Sequence, residues 1–95
     1  MGRRENKVET HLKKEVTRIG GISRKWVSPQ HAYVPDQIVV YKGIIWLIEV
    51  KAFDGKLSSG QEREIAKLRE HGANALSVAG IAQVDSFITM LEASR

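Results

Sequence analysis

Pro35-Asp36-Gln37-Ile38-Val39-Val40-Tyr41-Lys42-Gly43-Ile44-Ile45-Trp46-Leu47-Ile48-Glu49-Val50-Lys51 is the stretch that decides the fold. Two runs of β-branched and aromatic residues flank Lys42-Gly43, the pattern of two strands joined by a two-residue hairpin loop. In that hairpin Tyr41 faces Ile44, Ile38 faces Leu47 and Asp36 faces Glu49. Directly opposed residues carry Cβ atoms about 4.5–5.5 Å apart, and like charges so placed are destabilising. Lys51, two residues beyond Glu49, points to the same face. Two carboxylates and a lysine converging at the end of an apolar hairpin read as a metal site rather than a stability device. The competing reading is a set of exposed strand-end charges, with Asp36 opening a turn after Pro35.

Both faces of the hairpin are apolar. Ile38, Val40, Ile45 and Leu47 lie on one, and Val39, Tyr41, Ile44, Trp46 and Ile48 on the other. Strands apolar on both sides are expected to be covered by helices on both sides, which places the hairpin at the centre of an α/β sheet and consumes it in the core. Outward from it, Val8, Leu12, Val16 and Ile19 recur at helical spacing and predict an amphipathic helix over 5–19, ended by Gly20-Gly21. A first strand is predicted over 22–28, stopped by Pro29. After the hairpin come a loop over 52–57, a helix over 58–71 stopped by Gly72, a short strand over 75–78 and a closing helix over 84–92. The last turns Val84, Phe87, Ile88 and Leu91 inward. The order α-β-β-β-α-β-α is that of a central mixed sheet flanked by helices, and 95 residues are enough for a single domain spanning 1–95.

With no cysteine, disulfides and thiolate-held zinc are both excluded. Hydrophobic content of 42% with 27% charged residues is that of an ordinary soluble globular chain. No apolar stretch reaches the length of a membrane span, and Met1-Gly2-Arg3-Arg4-Glu5 is not followed by an apolar signal region, so the expected location is cytoplasmic. A net charge of +4 points mildly to a polyanionic partner. The basic residues concentrate early, in Arg3, Arg4, Lys7, Lys13, Lys14, Arg18, Arg24 and Lys25.

Asp36 and Glu49 offer hard oxygen ligands suited to Mg²⁺ or Mn²⁺, and the Val50 carbonyl stands beside them as a third. Lys51 is placed to stabilise developing negative charge or to orient a water. Glu9, on the flank of the first helix, either extends this acidic cluster or is a solvated charge paired with Lys13. Glu5 sits one turn earlier and is easily confused with it. Gln61 either reaches a water or phosphate, or closes a capping box with Ser58. Arg24 and Lys25 flank Trp26, an arrangement that can hold a phosphate backbone and stack a base, although Trp26 reads better as core. His31 either approaches a phosphate or is an exposed bystander.

With these residues assembled, the chain resembles the virus-type replication-repair nuclease (VRR-NUC) family of the PD-(D/E)XK, or restriction-endonuclease-like, superfamily. Nearly the whole chain carries the resemblance: Val8-Glu9, Gly20-Gly21, Lys25, Pro35-Asp36, Glu49-Val50-Lys51, Gly55-Lys56-Leu57-Ser58 with Gln61, Leu68-Arg69-Glu70-His71-Gly72 and Val84-Asp85-Ser86-Phe87. The resemblance implies a restriction-endonuclease-like core and metal-dependent hydrolysis of DNA phosphodiesters. It puts Asp36, Glu49 and the Val50 carbonyl on Mg²⁺ or Mn²⁺, with Glu9 completing the cluster, Lys51 assisting the water and Gln61 positioning it. Small stand-alone members resemble Holliday-junction resolvases, which implies a homodimer acting on branched or structured DNA in repair or replication, in the host cytoplasm if phage-encoded. One departure stands out: the family usually has glycine two residues before the Pro-Asp, where this chain has Tyr33. A tyrosine there either needs a different backbone path or adds a stacking surface, and with His31 it joins Lys25 and Arg24 as a candidate DNA contact. The alternatives are a nuclease for nicked or single-stranded DNA, and a DNA-binding module that keeps the fold without catalysis.

Overall fold

In the computed structural model, Lys42 (φ 50°) and Gly43 (φ 79°) both take left-handed backbone, which is the type I′ turn that matches the twist of a two-residue hairpin. The strands it joins, β2 (Gln37–Tyr41) and β3 (Ile44–Lys51), pair antiparallel with Tyr41 opposite Ile44, Ile38 opposite Leu47 and Gln37 opposite Ile48. This is the register expected from the sequence. The structure describes residues 3–94; Met1, Gly2, Arg95 and the side chains of Arg3 and Arg4, part of the basic N-terminal third, lie outside the described residues.

Around the hairpin stand α1 (Arg3–Arg18), β1 (Ile22–Lys25), α2 (Ser59–Glu70), β4 (Asn74–Ala79) and α3 (Gly80–Ala93). The sheet order is β1-β2-β3-β4, with β1 antiparallel to β2 and β4 parallel to β3. The parallel pair requires a crossover, and α2 supplies it. The expected order and the α/β restriction-endonuclease-like class are both observed. β1 ends three residues earlier than the sequence indicates, for a definite reason. Its partner β2 starts only at Gln37, and the last bond between the two runs from the Trp26 N–H to the Asp36 carbonyl at 2.9 Å. α3 begins four residues earlier than expected. Gly80 (φ 83°) turns the chain straight from β4 into the helix; Ala79 at the N-cap offers no capping side chain, and its own N–H donates to the Gln83 side chain at 2.7 Å.

One sheet face carries the core. Val8, Leu12 and Val16 of α1 and Val84, Phe87, Ile88 and Leu91 of α3 enclose Val39, Ile48, Val50 and Val78. Trp46 meets Phe87 edge-on at 5.5 Å, and His11 is 2.6 Å from Asp85, tying α1 to α3. The opposite face does not meet the expectation of full cover. There α2 lies along β4, burying Ile65 and Ala75, while Ile22 and Ile45 remain 47% and 56% exposed. Ile38, Val40 and Leu47 are half-buried. A helix about 10–12 Å wide covers roughly two strands spaced about 4.8 Å apart. Two helices therefore seal the first face, and one helix cannot seal the second.

Leu12 is fully buried at the centre of the α1 contact. Leu12→Ala is expected to lower stability by about 2–5 kcal/mol, the usual cost of such a cavity, measured by urea denaturation.

Candidate active site

At the open end of the hairpin the backbone places Asp36 just before β2 and Glu49 near the end of β3. The Asp36 Oδ1 accepts the Val50 N–H at 3.2 Å. That amide lies two residues past Ile48, which pairs with Gln37 at the end of the hairpin ladder, so the carboxylate continues the ladder where Pro35 would break it. N–H and C=O of one strand residue point the same way, and the Val50 carbonyl therefore faces the same side as Asp36. Glu49 is only 6% exposed, and its Oε2 stands 3.7 Å from the Lys51 Nζ.

Gln61 performs the capping role and reaches Glu49 as well. Its Oε1 accepts the Ser58 N–H at 2.9 Å, its own N–H donates to the Ser58 Oγ at 3.2 Å, and its Nε2 donates to the Glu49 Oε2 at 3.1 Å. The N-terminus of α2 is thereby tied to the carboxylate. Glu9 takes a flanking place. Its Oε1 accepts the Gln37 Nε2–H at 3.2 Å and lies 3.7 Å from the Lys25 Nζ, while its Oε2 is buried with no hydrogen-bond partner among the described residues. Among the described residues no three His, Asp or Glu side chains stand close enough to hold one ion together, so Glu9 is not assembled with Asp36 and Glu49 into a three-carboxylate set. Gln37, which orients Glu9, was not singled out from the sequence; as a polar residue inside an apolar run it carried the only signal available.

Burial is the main reason that Asp36 is pushed up to about 6, with the charges of Glu9 and Glu5 adding to the rise; the Val50 N–H and Lys25 oppose it. Burial also pushes Glu49 up to about 7, helped by the charges of Asp36 and Glu5 and opposed by Lys51. Glu5 acts on both carboxylates. The Asp36 and Glu49 oxygens, with the Val50 carbonyl beside them, form a hard donor set that a divalent cation fits.

The remaining candidates divide. Lys25 reaches the cluster through Glu9 and Asp36. The Arg24 guanidinium donates to the Ser23 carbonyl at 2.9 Å, and its strand position shares the open face with Ile38. His31 pairs with Glu64 of α2 at 3.0 Å rather than with Asp36 or Glu49, and Trp26 is half-buried. Tyr33 adopts the left-handed conformation that favours glycine (φ 73°). A non-glycine residue there is strained by about 1–3 kcal/mol.

No family model matches the sequence. A solved structure described as "VRR_NUC domain" matches over 93% of this chain and 97% of its own, with a TM-score of 0.85 and 32% identity. A second, "VRR_NUC domain protein", matches 96% of this chain and 89% of its own, with a TM-score of 0.67 and 23% identity, and speaks for the fold alone. In sequence, the chain is 46% identical over 66 residues to "Putative nuclease p44" of Acyrthosiphon pisum secondary endosymbiont phage 1, covering 68% of this chain and 71% of that protein.

Asp36 and Glu49 hold their protons more tightly in the folded chain than in the unfolded one, where carboxyls titrate near 4. They favour the folded state below that range and cost stability as pH rises through about 6 and about 7. Metal-free protein should therefore lose melting temperature over this window. Glu49→Gln should flatten the decline and melt higher than the natural chain at pH 8, as read by differential scanning calorimetry in EDTA.

Proposed function

Since this chain belongs to the VRR-NUC domain family, we propose that it is a metal-dependent DNA endonuclease, hydrolysing phosphodiester bonds on branched or structured DNA such as Holliday junctions, as a homodimer. The observation that carries this reading is the convergence of half-buried Asp36 and buried Glu49 at one hairpin end, with Lys51 3.7 Å from Glu49. A purely binding surface has no use for opposed carboxylates, which repel a phosphate backbone unless a cation stands between them.

Asp36, Glu49 and the Val50 carbonyl would hold Mg²⁺ or Mn²⁺, which when bound supplies Lewis acidity toward the phosphodiester and a neighbouring water. Lys51 directs its ammonium at charge developing on the phosphate. Gln61 fixes the rotation of the Glu49 carboxylate, and its remaining amide hydrogen is free to orient a water. The Val50 N–H fixes Asp36. Glu9 and Gln37 hold Lys25 at the rim, where its ammonium meets the DNA backbone together with the basic residues of α1. The open apolar face bearing Ile22, Ile38, Val40, Ile45 and Leu47 supports the homodimer, since a two-fold contact joins the same patch on both copies. Pairing two sites in this way gives so short a chain a means of cutting two strands.

Labelled four-way junction, flap, nicked duplex, plain duplex and single strand, each with Mg²⁺, Mn²⁺ or EDTA, test the reading. Metal-dependent cuts are expected on the branched substrates, and Lys51→Ala should reduce them at least about 100-fold while largely sparing binding. Tight junction binding without any cutting would instead favour the non-catalytic module, and cuts confined to nicked or single strands would move the substrate. Ile45→Lys should shift sedimentation of the protein from dimer to monomer; an unchanged coefficient would remove the open face from the interface.

A further inference from the structure

Gly60, buried in the first turn of α2, adjoins Gln61, the residue that grips Glu49. A Cβ placed on Gly60 would lie 2.7 Å from both Cε2 and Cζ of Tyr33 and 2.8 Å from its Cε1. Near-equal distances to three consecutive ring carbons put that position over the middle of the ring, so the phenol lies face-down on the backbone of α2. One face of the ring is sealed by a residue whose lack of a side chain makes the contact possible. Tyr33 is still 55% exposed, so the other face looks outward. The ring sits in a strained left-handed residue, three positions before Asp36, and within about 10 Å of it along the chain.

Beside this ring runs a groove of about 610 Å³ between the 31–33 loop and α2, walled by His31, Tyr33, Arg63, Glu64 and Lys67. That volume falls within the range of small-ligand clefts, about 300–1,000 Å³. Glu64 is engaged by His31 at 3.0 Å. Arg63 and Lys67, one turn apart on the helix, are exposed. Glu70, the remaining acidic wall, lies at the far end of α2 from the carboxylate site. A flat aromatic platform flanked by two cations is the chemistry that receives a nucleobase and its phosphates. Paired bases in a duplex cover one another's faces, so only an unpaired base can use it.

We propose that this groove is a subsite for one unpaired DNA nucleotide next to the scissile phosphate, with its base stacked on the open face of Tyr33 and its flanking phosphates on Arg63 and Lys67. The proposal rests on the nuclease reading above and adds that the enzyme selects DNA with a frayed or single-stranded arm at the cut. The contact is a stack without base-edge readout, so it is tolerant of sequence.

A forked DNA carrying 2-aminopurine in its unpaired arm, titrated with the protein in EDTA, tests this. The natural chain should quench the probe, and Tyr33→Phe should keep the quenching. Tyr33→Gly places at φ 73° the residue that tolerates it best, which protects the fold. That variant should lose the quenching and weaken fork binding about 5- to 150-fold, with plain-duplex affinity unchanged. Arg63→Gln and Lys67→Gln should each reduce the slope of log affinity against log salt by about 0.7. Equal fork and duplex affinities for Tyr33→Gly and the natural chain would overturn the subsite, as would absence of quenching by the natural chain. Metal-dependent cutting together with that failure would refute the subsite alone. Stacking without cutting in Mg²⁺ would refute the nuclease reading alone.

Discussion

A turn of two left-handed residues, Lys42 and Gly43, sets the register on which the rest of the structure depends. Side chains alternate along a strand, so a slip of one residue in the β2–β3 pairing would move every core residue of one strand to the open face. Either Val39 of β2 or Ile48 and Val50 of β3 would leave the α1–α3 core, and Asp36 would lose both its place opposite Glu49 and its bond to Val50. The same register thus builds the core and assembles the site.

The site is costly to build. Two carboxylates are taken largely out of water within reach of each other, and burial raises both above the usual carboxylate range. Single hydrogen bonds, from Val50 to Asp36 and from Gln61 to Glu49, offset part of the cost and hold each group in one orientation. The sealed core on one sheet face carries this local expense. Gln61 is the joint between the two demands, because the same amide group caps α2 and orients Glu49.

Much of this is legible in the sequence, and the differences have physical causes. Val8, Leu12 and Val16 are buried as their helical spacing indicates, and the hairpin pairs as its turn residues dictate. β1 ends early because its partner strand starts only at Gln37, a boundary set in β2 rather than in β1 itself. The start of α3 carries no local signal because Ala79-Gly80 has no capping side chain. Gln61 had two readings because a local pattern specifies its cap, whereas its bond to Glu49 spans two elements.

From local chemistry alone, the sequence determined the element order, the hairpin register and the meeting of Asp36, Glu49 and Lys51, since each follows from alternation along a strand and a turn of known length. Only the tertiary structure decided what covers the sheet. The apolar pattern of Ile38, Val40, Ile45 and Leu47 reads the same whether a helix seals it or it stays open, and the answer depends on how many strands one helix can span. It also decided that Glu9 turns to Gln37 and Lys25, and that Tyr33 lies on Gly60. Those contacts join residues far apart in the chain, where spacing carries no information about approach.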